Sequence, residues 1–143
     1  MDLQLALFCE GAQETPDGKL DVRGVFHDLF APGFPALQEH LVMVIVMDWD
    51  RRDQGSYNLK AELVSPESQV VLTVDGHSDV TPQPAEKPPA RTRIIMPVDK
   101  AVFPIPGRYH LRVIVKGKRF KGPALHLVEV PELAQPEGEP EAS

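Results

Sequence analysis

The side chains with the most obvious chemical potential are acidic. Asp48, Asp50 and Asp53 follow a long apolar stretch, and Asp75 and Asp79 fall after a later one. Oxygen-rich loops gathered at one end of a β-sandwich are a donor set suited to calcium, a hard cation that prefers carboxylate and carbonyl ligands. If the strands on either side of Ser65 run antiparallel in succession, loops 48–55 and 75–79 share an end, and a first hairpin tip with Glu14 and Asp17 joins them. The five aspartates are therefore the candidate metal ligands. The spacing misses the EF-hand pattern, since Leu59 stands where the loop's final Glu belongs, and Arg51 and Arg52 interrupt the cluster. Solvated turns with local ion pairs are the simpler account.

Catalytic arrangements are poorly represented. Asp75-Gly76-His77-Ser78-Asp79 contains the residue types of a serine hydrolase, but neighbours in a turn do not make triad geometry, and no G-x-S-x-G elbow is present. Turn chemistry is the expected explanation for that segment. His27, His40, His77, His110 and His126 include no H-x-x-x-H pair, and no glycine-rich phosphate loop occurs. His110 is out of phase with Tyr109 and Leu111 and should face solvent. Cys9, the single cysteine, rules out an internal disulfide and a cysteine-based zinc cluster, and reads as a small buried hydrophobe on a strand. No cofactor is implied, and a hydrolase is the least supported alternative.

Positive charge gathers in one segment, KGKRFK, where Lys116, Lys118, Arg119 and Lys121 surround Phe120. A basic hairpin with an aromatic can hold a nucleic acid strand by charge and stacking. One short patch on a chain of net charge -6 lacks the extended footprint of a nucleic-acid binder, so a solvated hairpin with Phe120 turned inward is expected instead.

The elements that must position these residues read as strands. A chain of 143 residues is long enough for one domain with one core, and 15 prolines against 10 glycines leave little room for long helices. Leu3, Leu5, Leu7 and Cys9 alternate over residues 2–9. Turn-prone GAQETPDGK then leads to a second strand over residues 20–30, so the first two strands form a hairpin with a bulge near Gly24. LVMVIVMDW follows as a buried strand. Residues 55–64 alternate cleanly, and further strands cover 69–74, 93–98, 109–115 and 119–130, the last broken at Gly122-Pro123. The Pro-rich TPQPAEKPP is a stiff connector. This pattern predicts an all-β fold, an antiparallel immunoglobulin-like β-sandwich of about eight strands over residues 1–130. Residues 131–143 carry Glu132, Glu137, Glu139 and Glu141 and no Lys or Arg, which predicts a disordered acidic tail.

In the LVMVIVMDW stretch both sides are apolar. Leu41, Met43, Ile45, Met47 and Trp49 line one side, and Val42, Val44 and Val46 line the other. Only one face of a sandwich sheet meets the core. The valine face must be covered by a loop, by FAPGFPA or the Pro-rich connector, or by a second subunit or partner. Val42, Val44 and Val46 are accordingly the candidate interface residues, and a homo-oligomer or a protein partner is the expected association.

The segments LALFCEGAQ, GKLDVRGVF, FAPGFPA and PIPGRYHLRVIVKGK resemble a bacterial family of uncharacterised small proteins with an immunoglobulin-like sandwich fold, over roughly residues 3–130. The resemblance implies a fold and carries no catalytic residue with it. Without a basic leader, with one cysteine, and with no apolar run long enough to cross a bilayer, the chain is expected to be cytoplasmic, with no membrane partner. A non-catalytic binding or scaffold module is the preferred function, with a divalent-cation-dependent binder as the first alternative.

Overall fold

The computed structural model describes residues 1–131, so all but the first residue of the expected acidic tail lies outside the described residues. Ten strands and no helix make up the described chain: β1 (Asp2–Cys9), β2 (Gly11–Glu14), β3 (Leu20–Arg23), β4 (Asp28–Ala31), β5 (Ala36–Asp48), β6 (Gly55–Val64), β7 (Val70–Val80), β8 (Arg91–Phe103), β9 (Gly107–Val115) and β10 (Lys118–Glu129). The all-β expectation holds, with ten strands in place of eight. A three-stranded sheet has the order β1-β5-β8, a five-stranded sheet the order β4-β10-β9-β6-β7, and β2 and β3 form a separate hairpin. All pairings are antiparallel except β4 with β10, which is parallel.

Alternation accounts for the main core. Leu41, Met43, Ile45 and Met47 of β5 face Leu59, Ala61 and Leu63 of β6 and Tyr109, Leu111, Val113 and Val115 of β9, all buried in one apolar cluster between the sheets. Ser78 of β7 and Thr92 of β8 meet at 2.6 Å between hydroxyl oxygens, lacing one pair of sheet edges. A bridge from Phe8 to Phe26 ties β1 to the segment that enters β4.

The first hairpin differs from expectation. Strand β1 pairs with β5, and the chain bends at Glu10 to begin a new hairpin in which Gly11 to Glu14 pair with Leu20 to Arg23. The Glu10 amide donates to the carbonyls of Arg23 and Gly24, which closes the base of that hairpin. Gly24 sits at φ 67°, a left-handed conformation that glycine takes at little cost, and this turns the chain toward β4.

The hairpin explains the two-sided apolar strand. Cys9, Val42 and Val44 form a second buried cluster, covered by Ala12 of β2, Leu20 and Val22 of β3, Leu7 and Ile95. Arg93 fastens the hairpin from β8, donating to the Gly18 carbonyl at 2.8 Å and to Glu14 at 3.2 Å. The candidate interface residues therefore require correction: Val44 is fully buried within the single chain, Val42 and Val46 are nearly so, and of the two covers expected for this face, the chain itself or a partner, the chain supplies it. Neither FAPGFPA nor the Pro-rich connector supplies the cover. Strand β1 also departs from simple alternation. Its register shifts between Leu3 and Leu5, so Leu3 packs on the main core while Leu5 is exposed.

Candidate functional site

The five aspartates do not converge. Asp48 on β5 takes two hydrogen bonds from Arg91, directly opposite it on β8, at 2.6 and 3.2 Å. Asp50 pairs with the N-terminal ammonium of Met1. Asp53 is buried and accepts from Lys116 at 2.6 Å and from the Asp50 amide at 2.9 Å. Asp79 accepts from Ser56 at 2.5 Å and lies 3.3 Å from His77, while Asp75 is mid-strand opposite Lys60. Among the described residues no three acidic, histidine or cysteine side chains form a group able to hold a metal ion. The loops were expected to share an end on the premise that β5, β6 and β7 are successive neighbours, but β5 belongs to the other sheet.

Around Asp53 the architecture is structural. Burial pushes its carboxyl up, but the Lys116 ammonium and the Asp50 amide outweigh this and hold it below the usual range. Lys116 also lies 5.2 Å from the centre of the Tyr57 ring, which stacks on Trp49 at 4.8 Å. The Trp49 indole donates to Thr92. Residues 75–79 lie on β7 and not in a turn. Ser78 meets Thr92, while His77 contacts Asn58 and Asp79 on the opposite face, so serine and imidazole are not in contact. Cys9 is fully buried, its thiol pushed up chiefly by burial.

Basic residues do converge. Arg108, His110 and Arg112 alternate outward along β9, whereas Tyr109, Leu111 and Val113 between them enter the core. On β10, Lys121 stands opposite Arg112 and Arg119 opposite Ile114, so their side chains rise from the same outer face. Together Arg108, His110, Arg112, Arg119, Phe120 and Lys121 line a groove of about 370 Å³. The register of β9 and β10 slips between Lys121 and Ala124, at Gly122-Pro123, as the sequence suggested. A bulge of this kind bends the strand, and Pro is tolerated there because no ladder donor is needed. Gly122 is required for closeness: a Cβ at that position would come within 2.9 Å of the Leu111 carbonyl oxygen.

Charge in the groove is largely uncompensated. Glu62, opposite Arg112 on β6, takes hydrogen bonds from it at 2.6 and 3.0 Å. Arg108, Arg119 and Lys121 have no ion-pair partner among the described residues. Partial burial, with Arg108, Arg112 and Lys121 close by, pushes the His110 imidazole below its usual range. Phe120 is half-buried: it packs against the main core, as expected from the sequence, and also contributes to the lining of the groove. The KGKRFK segment was legible as basic. Its continuation into Arg108, His110 and Arg112 was missed, although R-x-H-x-R on a strand puts three basic residues on one face.

A family model covers residues 4–128 and describes a family of unknown function, DUF6941. The chain belongs to that family. None of the curated proteins compared with it matches the chain. Family membership thus spans nearly the whole described structure, groove included, and brings no activity with it. Among the described residues no helix is long and apolar enough to cross a membrane.

Proposed function

We propose that this family member is a non-catalytic binding module that holds an anionic ligand in the groove on the outer face of the β9–β10 pair. One observation carries the reading: Arg108, His110, Arg112, Arg119 and Lys121 line a single concave surface, where clustered like charge raises the local concentration of anions. The binding-module reading is retained from the sequence, while its expected contact moves from the buried valines to this groove. The dispersed aspartates give a divalent-cation binder no support, and the separation of Ser78 from His77 gives a hydrolase none. An immunoglobulin-like sandwich, a bacterial source and a cytoplasmic location stay with this proposal. The fold is supported by Tyr109, whose hydroxyl donates to the Ile105 carbonyl four residues upstream at 2.7 Å, the tyrosine corner of such sandwiches.

The test is binding of fluorescein-labelled poly-glutamate to the full chain at low and high salt. Binding that weakens with salt and is lost in Arg108→Glu/Lys121→Glu, with an unchanged melting temperature, is the expected result. Equal binding by that folded variant would remove the groove from consideration.

A further inference from the structure

Building on the anion-binding reading, we propose that the basic groove binds single-stranded nucleic acid, with its phosphates on the cations of the β9–β10 face and one unpaired base on the ring of Phe120. The first observation is that the positive charge forms a stripe that runs beyond the KGKRFK segment. Arg108, His110, Arg112 and Ile114 follow one another on the outer side of β9 at two-residue intervals, roughly 20 Å from end to end at the rise of a strand. Neighbouring strands widen the stripe: His126 stands opposite Arg108, Lys121 stands opposite Arg112, and Ile114 lies between Arg119 on β10 and Lys60 on β6. Such a stripe can track the backbone of an extended strand of about four nucleotides, the short end of single-strand site sizes.

Three carboxylates border it. Glu62 engages Arg112, Asp28 is opposite His126, and Asp75 is opposite Lys60. Lys60, Arg108, Arg119 and Lys121 nonetheless have no ion-pair partner among the described residues, which leaves them for phosphate. Four of the chain's six excess negative charges lie in residues 131–143, so the part that carries the stripe is close to neutral.

Phe120 supplies what charge alone lacks. It lies opposite Val113 and packs against the main core, yet it is only half-buried and lines the groove. The reason is topological. β4 pairs with β10 over His126–Glu129 alone, so at Lys118–Lys121 β10 has β9 on one side and no strand on the other among the described residues. The ring is thus anchored by the core and still open to the groove, between Arg119 and Lys121 in the chain. An aromatic among cations accepts any base by stacking, whatever the sequence of the strand. A polycarboxylate has no planar base to place there, and a duplex keeps its base faces inside the stack.

The experiment measures binding of the full chain to fluorescein-labelled oligothymidine and oligouridine of about ten nucleotides, to a duplex of similar charge, and to poly-glutamate of matched charge. The single strands should bind about tenfold tighter than poly-glutamate at low salt. Their log K should fall with log salt at a slope of about −2 to −3, as three or four phosphate contacts require. Phe120→Leu should weaken oligonucleotide binding about five- to tenfold and leave poly-glutamate binding unchanged, and Phe120→Tyr should keep the native affinity. The indole introduced by Phe120→Trp should be quenched by the oligonucleotides and not by poly-glutamate, a readout of stacking that does not depend on the leucine variant folding. Whichever of oligouridine and oligothymidine binds more tightly assigns the strand to RNA or to DNA. Single strands bound no tighter than poly-glutamate, or an unquenched indole, would refute the nucleic acid while leaving the anion-binding reading intact. A duplex bound as tightly as the single strands would refute the single-strand specificity. Failure of every polyanion to bind would sink both readings.

Discussion

Tyr109 shows how one side chain ties a loop to the core. Its ring is fully buried, edge-on to Phe103 at 5.3 Å, and its hydroxyl both donates to the Ile105 carbonyl and accepts the Ile105 amide at 3.2 Å. Tyr109→Phe keeps the packing and strands two backbone polar groups, so it should cost about 1–3 kcal/mol in chemical denaturation. Asp53 works similarly at the other end, and Asp53→Ala should cost about 1–3 kcal/mol by leaving the Asp50 amide and Lys116 without their acceptor. Calcium should give neither protein a thermal shift; a rise in melting temperature that depends on Asp53 would restore the cation site. The residue identities were readable from the sequence. Their roles were not: Asp53 is separated from Lys116 by 63 residues, and nothing local distinguishes a buried, paired aspartate from a calcium ligand.

At the scale of elements, the sequence signal was strongest where one face alone is buried. β6 was located to the residue because its alternation has a single reader, the core between the sheets. β5 was harder, since both its faces are apolar and periodicity cannot say what covers the second. The cover is the β2–β3 hairpin, which contributes only Ala12, Leu20 and Val22 and so leaves a weak apolar signal of its own. Strands β7 and β8 ran longer than expected because their polar ends pair, Arg91 with Asp48 on the neighbouring strand and Ser78 with Thr92 across the sheets, where hydrophobic pattern is silent. Val44→Glu tests the hairpin's role. A charge beneath it has no partner, so the substitution should destabilise by several kcal/mol and be seen as loss of cooperative unfolding, with no monomeric folded form recovered. A folded, monomeric Val44→Glu would instead show that the face opens for a partner.

For the whole molecule, the distribution of charge matters more than its sum. The net charge of -6 argues against a polyanion ligand, yet four acidic residues lie in 131–143 and the β9–β10 face is basic. A sequence total averages over this separation, which is why the groove escaped notice. The same arrangement dictates the response to pH. His110 is held below its ordinary value of 6.5, first by burial and then by Arg108, Arg112 and Lys121. Above pH 6.5 it is neutral whether folded or not and contributes no slope. As pH falls below 6.5 the unfolded chain takes up the proton first, so stability declines until the folded imidazole titrates as well. Asp53, Asp17 and Asp79 are lowered below 3.8, so their contribution is present above 3.8 and is lost as pH falls through their folded values. Chemical denaturation from pH 8 to pH 3 should therefore show a shallow decline beginning near 6.5 and a steeper one below 4. His110→Asn should flatten the first limb and Asp53→Asn should weaken the second. A polyanion in the groove favours the imidazolium, so added poly-glutamate should protect the protein more at pH 5.5 than at pH 7.5, and protection independent of pH would separate His110 from the bound anion.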